Sequence, residues 1–297
     1  MVPEWANFFS DERYDLFNQL IVNYFSQKDN QINFSDGYVY ITNDTLSLGY
    51  MGLMNLAQIC NQNHPDDWSE IISSHFNLLI NSKKEENEIL SNINNFEVIK
   101  NYIGIRLHSI EYINAIGQEN SIFKKITDDI IALLIFDLPS SIKNIKPEEA
   151  NMWKIESEEL FNLGINNIKT KYHYEKLEEV INDIRIILIQ SEELFCTNVL
   201  FNIESDDDLI GKYGSLVGVP HRHAALIYPI DDLEVVKAIN LLIPLIVGME
   251  KEGPGSISNN LLWYYENTFI NLPFEYNDKK LDFFPPNKFV DVLNILS

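Results

Sequence analysis

Leu216-Val217-Gly218-Val219-Pro220-His221-Arg222-His223-Ala224-Ala225-Leu226-Ile227-Tyr228 is the stretch that decides the fold class. Two apolar runs, 216–219 and 224–228, flank a polar knot, which predicts two strands in immediate succession. Directly after them, Leu233, Val236, Ile239, Leu242, Ile243, Ile246 and Val247 recur at spacings of three and four, which predicts a helix over 233–250 with a kink at Pro244. Strand-like runs at 261–265, 269–272 and 281–284 then form a terminal meander, closed by a helix from Asn287. Strand following strand without an intervening helix lacks the βαβα rhythm of a doubly wound domain. The pattern predicts an α+β protein with mixed or antiparallel sheets flanked by helices.

Working towards the N-terminus, residues 184–189 and the continuous apolar run 130–136 predict strands buried on both faces. Residues 102–108 alternate as a strand, and 147–171 predicts two short helices with acidic first turns. Tyr14, Leu16, Phe17, Leu20, Ile21, Tyr24 and Phe25 stripe a helix over 11–26. A hairpin follows around Ser35-Asp36-Gly37, then helices over 51–60 and 65–79. The polar stretch 81–95 reads as a short helix or a surface linker. The expected organisation is an N-terminal α+β lobe over 1–117 and a C-terminal α+β lobe over 118–297.

The chain has 297 residues, 44 of them acidic and 22 basic, for a formal net charge of −22. That balance argues against nucleic acid and anionic membrane as partners, because both require a basic footprint. Two cysteines, Cys60 and Cys196, exclude a disulfide scaffold or a multi-cysteine zinc site. Met1-Val2-Pro3-Glu4-Trp5 lacks the features of a signal peptide, and the longest apolar stretch, 238–249, is too short for a membrane span. A cytoplasmic protein is expected.

Three groups of residues carry a family resemblance. They are Leu46-Ser47-Leu48 with Asn55-Leu56 and a Pro-Asp-Asp helix start; Asp137-Leu138-Pro139-Ser140 leading to Glu148-Glu149, Trp153, Ile155, Glu158-Glu159-Leu160 and Asn167-Ile168; and Gly218-Val219-Pro220 with Arg222. In order and spacing the chain from about residue 40 resembles the YtpQ-like family of bacterial domains of unknown function. It departs at Gly164, where the family pattern has alanine. The resemblance implies an intracellular α+β fold and brings no catalytic residues with it.

Chemistry-bearing clusters are few. His221 and His223, at i and i+2 around Arg222, would point the same way on a strand and present an acid–base pair or half a zinc site. No further Cys or His lies near at ligand spacing, and Asp231-Asp232 would complete a site only if the strand turned back, so no bound metal and no cofactor are expected; surface packing is the plainer reading. Gly253-Pro254-Gly255-Ser256 sits at a helix C-terminus, where the dipole repels anions. Neither cysteine has a cationic neighbour to activate it, and no G-x-S-x-G elbow occurs.

Charge is the remaining feature. From Asp129 to Gly211 there are 17 acidic and 7 basic residues, densest at Glu204, Asp206, Asp207 and Asp208, near Glu192 and Glu193. Such a segment serves solubility, or docks a basic protein partner. Three functions follow: an immunity or inhibitor protein neutralising a basic toxin such as a nuclease, a metal-dependent or acid–base hydrolase using His221 and His223, and a regulatory or structural subunit of a bacterial protein complex.

Overall fold

The computed structural model describes residues 2–42, 48–253, 255–277 and 280–297. It is an α+β protein in which every described strand pairing is antiparallel. The chain forms two compact units, one of Met1–Ile93 with Leu138–Ser141, the other of Asn94–Asp137 with Ile142–Ser297.

The first unit contains α1 (Asp11–Ser26), the strands β1 (Ile32–Ser35), β2 (Tyr38–Ile41) and β3 (Tyr50–Gly52), α2 (Met54–Gln62) and α3 (Trp68–Ser91). Asp36 and Gly37 both take positive φ, the two-residue turn that joins right-twisted strands without splaying them. Phe17, Phe25, Trp68 and Phe76 fill its core. Helix α3 runs to Ser91, so most of the polar stretch 81–95 is not a separate short helix or a linker but the last three turns of a long helix. Ile80 and Ile89 keep its stripe buried through the charged residues between them. The first resemblance group lies partly at 46–47, outside the described residues.

The second unit contains α4 (Phe96–Ile99), β4 (Ile103–Ser109), α5 (Ile110–Ile116), β5 (Phe123–Lys125), β6 (Ile130–Asp137), β7 (Ile142–Asn144), α6 (Pro147–Trp153) and α7 (Ser157–Lys171). There follow β8 (Glu175–Ile181), β9 (Ile184–Gln190), β10 (Ser215–His221), β11 (Ala224–Pro229), α8 (Val235–Glu252), β12 (Leu261–Tyr265), β13 (Thr268–Leu272), β14 (Phe274–Asn277), β15 (Lys280–Phe283) and α9 (Asn287–Leu296). Strand β4 pairs with β6 along its whole length. That pairing ties 94–117 to the C-terminal unit and moves the division from Gly117 to Ile93.

Within this unit a six-stranded sheet has the order β13-β12-β10-β11-β9-β8. Helix α8 buries Ile239, Leu242, Ile243 and Ile246 against it. Each such side chain contributes about 1.5–3 kcal/mol on burial. Pro244 stands inside α8 and the helix runs past it to Glu252. Among the described residues no helix is long and apolar enough to cross a membrane. Helix α7 crosses β4 closely at Gly164, where a Cβ would lie 2.9 Å from Ile105 Cγ2 and 3.0 Å from the Gly104 carbonyl carbon. A side chain at position 164 has no room, so the glycine is a packing requirement of this chain.

Candidate functional site

Strand β8 is the outer edge of the six-stranded sheet, and its residues from Glu175 to Val180 are all exposed. With water on both faces it has no need of apolar alternation, so it carries no period-two signal and sequence reading passed over it. Asn182 and Asp183, both at positive φ, make the tight turn into β9. Over 172–208 the chain holds 10 acidic residues against 2 basic ones.

Those two cations are not free. Lys176 Nζ lies 3.0 Å from Asp206 and 2.7 Å from Asp208, and Arg185 pairs with Glu178. The lysine hydrogen bond holds the Asp208 carboxyl below its ordinary range. Glu204 bonds the Tyr264 hydroxyl, whose pKa is raised by burial first and by that carboxylate second. The carboxylate of Asp207 makes no ion pair or hydrogen bond among the described residues, nor do those of Glu192 and Glu193, exposed just beyond β9, where the Glu193 N–H donates to Ser191 Oγ at 3.0 Å. The acidic segment singled out from sequence therefore divides. Asp206, Asp208 and Glu204 are spent largely on internal contacts, whereas Asp207, Glu192 and Glu193 face outward.

Folding adds carboxylates that are remote in sequence. A cleft of about 400 Å³ is lined by Asp183, Asp207, Asp208, Asp231, Asp232 and Glu234, with Arg185 the cation in its wall. Lys212 N–H donates to Asp231 at 2.7 Å, and Glu234 N–H donates to Asp232 at 2.8 Å, which orients both carboxylates. Tyr228, at the same cleft, is pushed up to about 12 by burial and then by Asp232, Glu234 and Asp231. The negative field is strong enough to register on a neighbouring group. Among the described residues no three His, Cys, Asp or Glu side chains are arranged to hold a metal ion.

The histidine cluster is not the strand pair expected from its spacing. His221 ends β10, and Arg222-His223 form the turn into β11, with a register shift after Gly218. His223 is held at both ring nitrogens: Nε2 accepts from Arg222 Nε at 3.1 Å, and Nδ1 donates to the Ser191 carbonyl at 3.0 Å. That assignment follows from arginine having no acceptor. His221 Nδ1 accepts from His223 N–H, and burial, His223 and Arg222 keep this imidazole below its ordinary pKa. The rings stand 6.4 Å apart. The two share with His173, Glu175 and Glu192 a cleft of about 850 Å³, three partners not visible as neighbours in the sequence.

Cys196 is buried, its thiol pushed up to about 12, and Cys60 is pushed to about 11, burial being the main cause for both. Neither is a thiolate nucleophile at neutral pH. Compared with known proteins, the chain matches no family model, no curated protein and no solved structure. The YtpQ-like resemblance has no support from these comparisons.

Proposed function

We propose that the protein binds a basic protein partner through the acidic cleft and the β8 edge, most concretely as a cytoplasmic immunity or inhibitor protein that neutralises a cationic toxin such as a nuclease. The observation that carries this reading is the convergence of Asp183, Asp207, Asp208, Asp231, Asp232 and Glu234 on one cleft without metal-binding geometry. Like charges held together cost self-repulsion, and a cationic surface relieves it. The same field steers encounter and competes for side chains that a nuclease uses to hold phosphates. Strand β8 adds a backbone edge, unpaired among the described residues, to which an extended segment can join. The hydrolase reading is weaker, because both nitrogens of His223 are engaged in fixing the turn.

The test uses the full chain as bait in its producing cell, beside a variant with Asp183, Asp207, Asp231 and Asp232 changed to Asn. The reading expects a basic prey, held by the wild type, lost from the variant, and associating more slowly as salt is raised from about 0.1 to 1 M, where the Debye length falls to about 3 Å. A prey that is acidic, or held equally by both baits, would refute it.

A further inference from the structure

Beside the acidic cleft lies a second cavity, of about 390 Å³, with a different character. Its walls include the aromatic rings of Tyr172, Tyr174 and Phe195 and the aliphatic Ile165, Ile168 and Val199. Tyr172 and Phe195 lie 4.6 Å apart between ring centres, tilted by 31°. Asp207 borders both this cavity and the acidic cleft.

The decisive residue is Asn198, in the 3-10 segment Cys196–Ser205. It lines the cavity and is only 7% exposed. Its Nδ2 donates to the Ile105 carbonyl at 2.8 Å, which fixes the orientation of the amide. The Oδ1 atom is then a buried acceptor with no hydrogen-bond partner. An unmet acceptor buried in a protein is costly and asks for an N–H or O–H donor. At the mouth, Asp207 supplies a carboxylate with no partner among the described residues, while the ammonium of Lys169 is turned to Asn202 Oδ1 at 3.1 Å. Asp206, also on the rim, is held by Lys176.

A flat group with several N–H donors and a positive charge satisfies all of these at once. We infer that this cavity seats the guanidinium of an arginine side chain belonging to the basic partner, stacked against the aromatic walls, with donors directed to Asn198 Oδ1 and Asp207. The inference rests on the partner reading above and specifies its anchor. Guanidinium is planar, weakly hydrated and carries five donors in a fixed fork, so it stacks on rings and still meets separated acceptors. A lysine ammonium is a compact, strongly hydrated charge and suits such a slot poorly. Buried arginine anchors are also the residues that dominate interface energetics.

The experiment titrates the full chain with N-acetylargininamide, N-acetyllysinamide and N-acetylcitrullinamide at low salt, read by calorimetry and by amide chemical shifts. Citrulline keeps the shape but lacks the charge. The expected result is binding of the arginine probe about tenfold tighter than either analogue, with shifts at Tyr172, Phe195 and Asn198. Asp207→Asn, at an exposed position, should weaken it about tenfold, whereas Asp291→Asn on α9, with the same change in net charge, should alter it less than about twofold. Equal affinity for arginine and lysine probes, or equal loss in both variants, would mean attraction by charge alone; the seat would fall and the acidic-face reading would stand. Arginine-selective binding in this cavity, together with failure of the cleft variant to release a basic prey, would uphold the seat and remove the partner reading. No shift at those three residues would overturn the seat outright.

Discussion

Strands β6 and β8 belong to the same unit and do opposite work. All eight residues of β6 are buried, whereas six of the seven in β8 are exposed. The first has neighbours on both sides, in β4 and β5; the second, among the described residues, pairs with β9 alone at the sheet edge. One is specified by apolar packing, and its sequence, Ile130-Ile131-Ala132-Leu133-Leu134-Ile135-Phe136-Asp137, announces it. The other is specified by its partner strand and a two-residue turn, and its own side chains are left free to carry charge. Charge accumulates where packing makes no demand.

The sharpest way to break this contrast is one truncation in each strand. Leu133→Ala should cost about 2–5 kcal/mol in urea unfolding, because a fully buried leucine leaves a cavity. Leu177→Ala in β8 should stay within about 0.5 kcal/mol. Comparable losses would show that β8 packs against something and is no free edge.

Acid should expose the interior side of the contrast next. His108, on β4 against β6, is lowered to about 4 by burial, Arg106 and Arg222. The unfolded chain therefore binds a proton that the folded chain refuses. The stability present above pH 6.5 is lost as pH falls towards 4, by on the order of 2–3 kcal/mol. His108→Phe, which keeps a ring to stack on Tyr112 at 4.2 Å, should flatten that part of the curve. An unchanged slope would place the titration elsewhere.

Gly164→Ala should cost about 1–2 kcal/mol, since the added Cβ presses on Ile105 and on the backbone at Gly104. A neutral result would mean that α7 can back away from β4. The smallest effect is expected at the acidic cleft. Changing Asp183 and Asp232 to Asn should leave the unfolding midpoint unchanged or raise it by a few tenths of a kcal/mol, because repulsion is relieved and nothing packed is lost. A clear loss of stability would make those carboxylates structural.

Much of the fold was legible because burial writes itself into sequence. The stripes of α1 and α8, the apolar runs of β6, β9, β10 and β11, and the Asp36-Gly37 turn all carry a local signal. What escaped were features set by distant partners. Strand β8 shows no alternation because neither face is buried, and the polar stretch after Leu79 gave no hint that Ile89 would return to the core. The site was legible only in part. Asp207 and Asp208 stand in an obvious acidic run, but their meeting with Asp231, Asp232 and Glu234 depends on the turns at either end of the β9–β11 pairing. Nor does any spacing show that Lys176 would occupy Asp206 and Asp208. The histidines misled for a related reason: i, i+2 on a strand implies one face, but the hairpin turns between them.

Zero-length carbodiimide cross-linking in the producing cell reads out whether a basic protein docks on the acidic cleft and the β8 edge. That reagent joins a carboxylate only to an amine already in contact with it. If it docks there, cross-links should join Glu179, Asp183, Asp207 and Asp232 to lysines of one basic protein and be suppressed at high salt. Cross-links falling instead on carboxylates of the first unit, such as Glu85 and Glu88 of α3, or reaching an acidic protein, would contradict it.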